Sequence, residues 1–272
     1  MPKGDRATRK KGRPPVNPGP KKCSPLAVSK KAGKSCLPPD VEARIKKGAK
    51  GCKADDGRCL VNNSILDDKM KKSLVAAYFR PKQPDEWKKK PHTWLNTDDI
   101  EAVMKQYVDA YPYFEFLGVV PIDFSAKDPY EKSKDKCMNE EFCKIDLKAL
   151  RASGKTVIGA VYNLDPHFKG GSHWIALVID LRVNKVYYFD SYGVKPPQQI
   201  ARYMRYLTLQ EPKLVLESNG HRFQRSDTEC GMYSMYFIIC MIHGVNFSKF
   251  CKNPIPDKWM YEFRNTLFDN TA

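Results

Sequence analysis

Apolar residues recur three and four apart across "WLNTDDIEAVMKQYVDAYP" (94–112), where Ile100, Val103, Met104, Tyr107 and Val108 fall on one stripe. That spacing predicts an amphipathic helix, capped by Asn96 or Thr97 and carrying Asp98 and Asp99 in its first turn. A weaker helical period runs through "NNSILDDKMKKSLVAAYFRP" (62–81), with apolar positions at 66, 70, 74 and 78, Ser64 as N-cap and Pro81 beyond its end. Shorter helices are expected at 38–48, stopped by Gly48, and at 196–207, opened by two prolines, with another at 256–268. The run 230–243 is apolar on all sides, which predicts a buried helix.

The period changes to two, or to continuous apolar runs, at 114–120, 156–163, 173–180 and 186–191, each bounded by Gly, Pro, Asn or Asp. "KLVLES" (213–218) and "HRFQ" (221–224) read as short strands. Asn184 and Lys185 sit where 173–180 would turn back as 186–191, so these two form a candidate antiparallel hairpin. Helices and strands are partly segregated along the chain, which favours α+β over a doubly wound sheet.

Charge divides the 272 residues into two regions. Positions 1–90 hold 25 Lys and Arg against 9 Asp and Glu, which is the whole net charge of +16; the remainder is balanced. Residues 1–37, rich in Lys, Arg, Pro and Gly, are expected to form a disordered basic tail, followed by a helical arm at 38–90 and a neutral globular body at 91–272. Such a tail suits non-specific contact with DNA through its phosphates. No apolar run is long enough to span a membrane, and the N-terminus lacks the apolar core of a secretory signal. The nine cysteines are odd in number and irregular in spacing, so free thiols in a reducing compartment are expected. Cys36, Cys52 and Cys59 lack a C-x-x-C pair or matching histidines, and no metal site is expected.

Candidate chemistry concentrates near "FQRSDTECGMYSMYFIIC" (223–240). Cys230 opens the buried helix, where unpaired backbone amides favour a thiolate. Of five histidines, His173 starts one strand of the candidate hairpin and Asp190 ends the other. Seventeen residues apart in sequence, they would meet at its open end, Asp190 holding one imidazole nitrogen and leaving the other for the thiol. His167 and His221 are weaker candidates. Gln224 offers a side-chain amide to an oxyanion, beside the Cys230 backbone N–H.

The order His173-Trp174, Asp190, Gln224, Cys230-Gly231 resembles the ubiquitin-like-protein (SUMO) protease family, particularly its viral branch with the adenovirus protease and the polyprotein protease of African swine fever virus. The upstream "TWLNTDDIEAVMKQY" is similar to that family's Trp-Leu-Asn-Asp segment, with Thr97 where Asp is usual. The resemblance covers residues 92 to about 265.

It implies a papain-like α+β core, with a central mixed sheet flanked by helices and preceded by the basic extension. It implies a cysteine endopeptidase with Cys230 as nucleophile, His173 as base, Asp190 as its orienter and Gln224 as oxyanion donor. Trp94, Trp174 and Gly231 would bind substrate, the tryptophans walling a tunnel that admits only Gly-Gly. No cofactor is implied. The expected substrate is a protein with a Gly-Gly-X site, either a viral structural precursor or a ubiquitin-like modifier, cut by a monomer in the virion or the host cytoplasm or nucleus. Acyl transfer, and a non-catalytic nucleic-acid-binding role for the basic arm, remain as alternatives.

Overall fold

The structure, a computed structural model, describes residues 22–46, 49, 51–127 and 136–270. The first 21 residues of the expected tail lie outside these. Residues 22–37, expected to be part of it, are folded. Ser24 accepts a hydrogen bond from the Ala27 amide at 3.2 Å and so caps α1 (Pro25–Ser29). Ala27, Cys36 and Leu37 are buried in a small core with Ile45, Leu60, Val61 and Phe79. The apolar positions were there to read, but they are too few to form a period.

The arm continues through α2 (Pro39–Lys46), α3 (Gly57–Asn62) and α4 (Asp68–Tyr78). Asp67 rather than Ser64 caps α4, its carboxylate accepting from the Met70 amide at 2.8 Å. A 3-10 turn at Asp85–Lys88 buries Trp87 against Phe268 of the body.

Six of the nine cysteines are paired, contrary to the expectation of free thiols: Cys23–Cys36, Cys52–Cys59 and Cys137–Cys143. Their Cα separations of 5.1, 5.7 and 6.6 Å fall within the span a disulfide bridges. The pairs have sequence separations of 13, 7 and 6 with no repeated spacing, so nothing in the chain announced them. Two of the three staple the arm, whose core is small for its length.

In the body, α5 (Thr97–Ala110) begins with a capping box. The Asn96 side chain accepts from the Asp99 amide at 2.8 Å, and the Asp99 carboxylate accepts from the Asn96 amide at 3.0 Å. Gln106 of this helix donates to the Ala76 and Phe79 carbonyls at 3.1 and 2.6 Å and ties the arm to the body.

There follow β1 (Phe114–Pro121), the short α6 (Glu140–Cys143) and α7 (Leu147–Ala152), then β2 (Val157–Asn163), β3 (Trp174–Asp180) and β4 (Lys185–Phe189). The chain continues with α8 (Gln198–Gln210), β5 (Val215–Ser218), α9 (Cys230–Ile242), α10 (Phe247–Cys251) and α11 (Asp257–Leu267). Residues 221–224 are not a strand. They run alongside Ser191, whose carbonyl accepts from both the Phe223 and Gln224 amides at 2.8 and 2.9 Å.

The five strands lie in chain order, with β1–β2 and β4–β5 parallel and both β2–β3 and β3–β4 antiparallel. The sheet is therefore mixed. Alternate residues supply two cores: Val157, Val161, Ala176, Val178 and Phe189 face α9, while Ile158, Tyr162, Leu177, Ile179 and Tyr188 face α8 and the Phe124–Phe142 cluster. All thirteen residues of α9 are buried. A Cβ at Gly159 would meet Ile238 at 3.2 Å and Phe114 at 3.1 Å, so glycine there lets the helix lie close on the sheet. The result is a rigid post with Cys230 at its tip.

Candidate active site

The β3–β4 hairpin has the register Ala176↔Phe189 to Asp180↔Lys185, with Asn184 at φ 54° in its turn. Its open end therefore brings His173, just before β3, to Asp190, just after β4. His173 Nε2 lies 2.8 Å from Asp190 Oδ1, and the two side chains are buried. The same carboxylate oxygen accepts from the Tyr192 amide at 2.8 Å, which fixes its orientation. Tyr192 also stacks on the His173 ring, centroids 4.7 Å apart, and carries the Arg222 guanidinium on its ring at 5.0 Å.

Burial pulls the His173 pKa down, but hydrogen bonds to Asp190 and to the Cys230 thiol, with the charges of both, outweigh it and raise the pKa to about 9. With Nε2 on Asp190, Nδ1 is the nitrogen left for the thiol. Cys230 is the first residue of α9, held between Glu229 and Gly231. The other two free thiols, Cys240 and Cys251, are buried without such neighbours, and burial pushes both up to about 12.

Gln224 is fully buried. Its Oε1 accepts from the Ser191 hydroxyl at 2.7 Å, and its Nε2 has no hydrogen-bond partner among the described residues. An unpaired buried amide is costly, so this N–H pair stands ready for an acceptor.

The seven residues from Gln224 to Cys230 are clamped at both ends. Asp257, the first residue of α11, accepts from the Ser226 and Arg225 amides at 2.8 and 3.0 Å and from the Tyr233 hydroxyl at 2.8 Å. Glu229 receives Arg264 Nε and Nη2, each at 2.9 Å, and Arg264 Nη1 also donates to the Thr93 carbonyl at 2.8 Å. The Arg264 guanidinium lies 4.5 Å from the Trp87 ring centroid.

Trp94 and Trp174 line one cavity of about 480 Å³ with Asn163, His167, Gly170 and Gly171. Trp174 is buried and donates Nε1–H to the Leu95 carbonyl at 3.0 Å; Trp94 is 42 % exposed at the mouth. A Cβ at Gly231 would meet Leu95 at 2.9 Å and Trp174 at 3.3 Å, so glycine there permits the close approach of this wall to α9. The weaker histidine candidates sit elsewhere. His167 pairs with Asp123 at 2.7 Å on the cavity rim, and His221 lies on the surface.

Thus His173, Asp190 and Cys230 come together, Gln224 is anchored beside Asp190, and both tryptophans share one cavity. Sequence reasoning missed Ser191, Tyr192, Asp257 and the Glu229–Arg264 pair. Only the acids flanking the thiol gave any signal, and without a partner in view they read as loop polarity. Among the described residues no cluster of metal-ligating side chains occurs, and no helix is long and apolar enough to cross a membrane.

Residues 155–272 match the model of the Ulp1 protease family, C-terminal catalytic domain. A putative thiol protease, R355, of Acanthamoeba polyphaga mimivirus is 30 % identical over 226 residues, 79 % of this chain and 69 % of that protein. The SUMO-1 cysteine protease S273R of African swine fever virus (isolate Pig/Kenya/KEN-50/1950) is 35 % identical over 136 residues, 47 % of this chain and half of that protein. The crystal structure of the ASFV pS273R protease superposes with a TM-score of 0.70 at 22 % identity, covering 94 % of this chain and 97 % of that one.

Proposed function

The chain is a cysteine peptidase of the Ulp1 protease family, and we propose that it cleaves polypeptides after Gly-Gly, with Cys230 as nucleophile. The observation that carries this reading is the buried 2.8 Å His173–Asp190 contact, with the Cys230 thiol on the same imidazole.

In this reading His173 takes the thiol proton through Nδ1, and the resulting imidazolium is stabilised by Asp190. The thiolate attacks the scissile carbonyl carbon. The tetrahedral oxyanion is met by Gln224 Nε2–H and the Cys230 backbone N–H. His173 then gives its proton to the leaving amine, a thioester to Cys230 remains, and water activated by His173 hydrolyses it. Glu229 does not oppose the thiolate, because Arg264 neutralises it.

Selectivity for Gly-Gly is supported by Trp94 and Trp174 lining one cavity: rings that wall the approach to the thiol would leave room for a backbone but not for side chains. The matched relatives are viral proteases, which supports maturation of structural precursors within assembling particles as the setting. The basic N-terminal stretch would hold such an enzyme on packaged DNA as a monomer.

The test is intact mass after brief exposure to a Gly-Gly peptide bearing a thiol-reactive C-terminus, on wild type, Cys230→Ser and His173→Ala. One adduct on wild type, none on Cys230→Ser and much slower addition on His173→Ala is expected. Equal labelling of all three would sink the assignment. The same labelling with a ubiquitin-like modifier ending in Gly-Gly separates an isopeptidase from a precursor-processing enzyme.

A further inference from the structure

A glutamine amide has nearly the same shape whichever way it is turned, so the buried walls around Gln224 cannot choose between its two orientations. Hydrogen bonds must choose, and the two orientations have opposite consequences. With Nε2 toward the site, a developing oxyanion meets a donor. With Oε1 there, it meets a carbonyl oxygen and is repelled.

Ser191 is itself buried, and among the described residues its hydroxyl has a single partner, Gln224 Oε1 at 2.7 Å. If the amide were reversed, Nε2 would donate to Ser191 Oγ. The hydroxyl hydrogen would then lack an acceptor and Oε1 would lack a donor, two buried groups unsatisfied. In the observed orientation only Nε2 is unsatisfied, and with Gln224 as oxyanion donor a substrate oxyanion would satisfy it. The Ser191 carbonyl holds the other end of the same residue, accepting from the Gln224 amide at 2.9 Å.

We propose that Ser191 is a positioning residue for the reaction, its hydroxyl fixing the Gln224 side chain with Nε2 toward the oxyanion. Asp190 and Ser191 are consecutive, so one strand end orients both the base and the oxyanion donor. The proposal rests on the reading of Gln224 as that donor, and the test separates the two.

Steady-state hydrolysis of a peptide amide placed after Gly-Gly is measured for wild type, Ser191→Ala, Gln224→Ala and the double variant, together with the rate of Cys230 alkylation by iodoacetamide. Alkylation uses the thiolate and imidazolium but builds no oxyanion. Gln224→Ala should lower kcat by about 10²–10³, and Ser191→Ala by roughly tenfold or more, with KM little changed and alkylation unaltered. In the Gln224→Ala background, Ser191→Ala should add almost nothing.

The Ser191→Thr and Ser191→Val pair isolates the hydroxyl at constant volume, should Ser191→Ala fail to fold. Thr is expected to exceed Val by about tenfold in kcat, the same fraction of the donor's worth. Equal rates for Thr and Val, additive losses in the double variant, or a parallel fall in alkylation would overturn the role of Ser191 and leave Gln224 in place. An unchanged kcat in Gln224→Ala would remove both.

Discussion

At His173, burial acts against the charged ring while Asp190 and the thiol act for it, and the second influence prevails, leaving a pKa of about 9. The imidazolium is therefore the resident form at neutral pH and is lost as pH rises through about 9. A profile of kcat/KM should show its alkaline limb there. Asp190→Asn removes a charge that favours the protonated ring, so the limb should move to lower pH, and kcat should fall as well. A limb left in place by that substitution would mean that another group sets it. The candidate side chains His173, Asp190, Gln224 and Cys230 could be picked out because their types, order and spacing are all constrained by the proposed chemistry. Ser191 could not, because Asp-Ser after a strand is also ordinary turn chemistry. Its role depends on a contact with Gln224, 33 residues away in sequence.

At the scale of elements, α9 matters for what holds its first turn. Glu229 and Arg264 are a buried ion pair, 2 % and 3 % exposed, and Arg264 reaches in addition to Thr93 beside Trp94. Arg264→Met leaves a buried carboxylate unpaired and should cost about 3–5 kcal/mol, read from the urea midpoint. Changing Glu229 to Gln in the same chain should recover part of that loss, and no recovery would point to lost packing on Trp87 instead. The strongly periodic helix α5 and the uniformly apolar α9 were readable from the chain. The short helices α1, α3, α6, α7 and α10 were not, since four to six residues carry too little period. Residues 221–224 looked strand-like because Phe223 is buried, yet they pair with a single carbonyl rather than a ladder.

For the whole molecule, two of the three disulfides, Cys23–Cys36 and Cys52–Cys59, lie in the arm, and the third, Cys137–Cys143, lies in the body with all three free thiols. Cys23–Cys36 closes a loop with a sequence separation of 13, for which cross-linking contributes about 3 kcal/mol. Replacing both cysteines by Ser should therefore destabilise the arm by roughly that amount, seen as faster amide exchange at 22–46, with exchange in α9 unchanged. Equal acceleration in α9 would show that arm and body unfold as one unit. Composition marked the basic stretch and the neutral body, but it also read residues 22–37 as disordered, and these are folded. Sixteen residues bearing few apolar side chains fold when two cysteines and a neighbouring helix constrain them.

The β3–β4 hairpin sets a long-range condition on variation in this chain. Successive residues of an extended segment point to opposite sides, so a slip of one position would exchange the places of Asp190 and Ser191 and misdirect both at once. The turn between Asp180 and Lys185 lies at the far end of β3, about 20 Å from His173 at strand rise, and touches neither His173 nor Asp190. Substitution of Val183, 52 % exposed in that turn, should be silent. Insertions or deletions of a single residue there should not be, because the count of residues in a distant loop is what keeps His173 and Asp190 in phase.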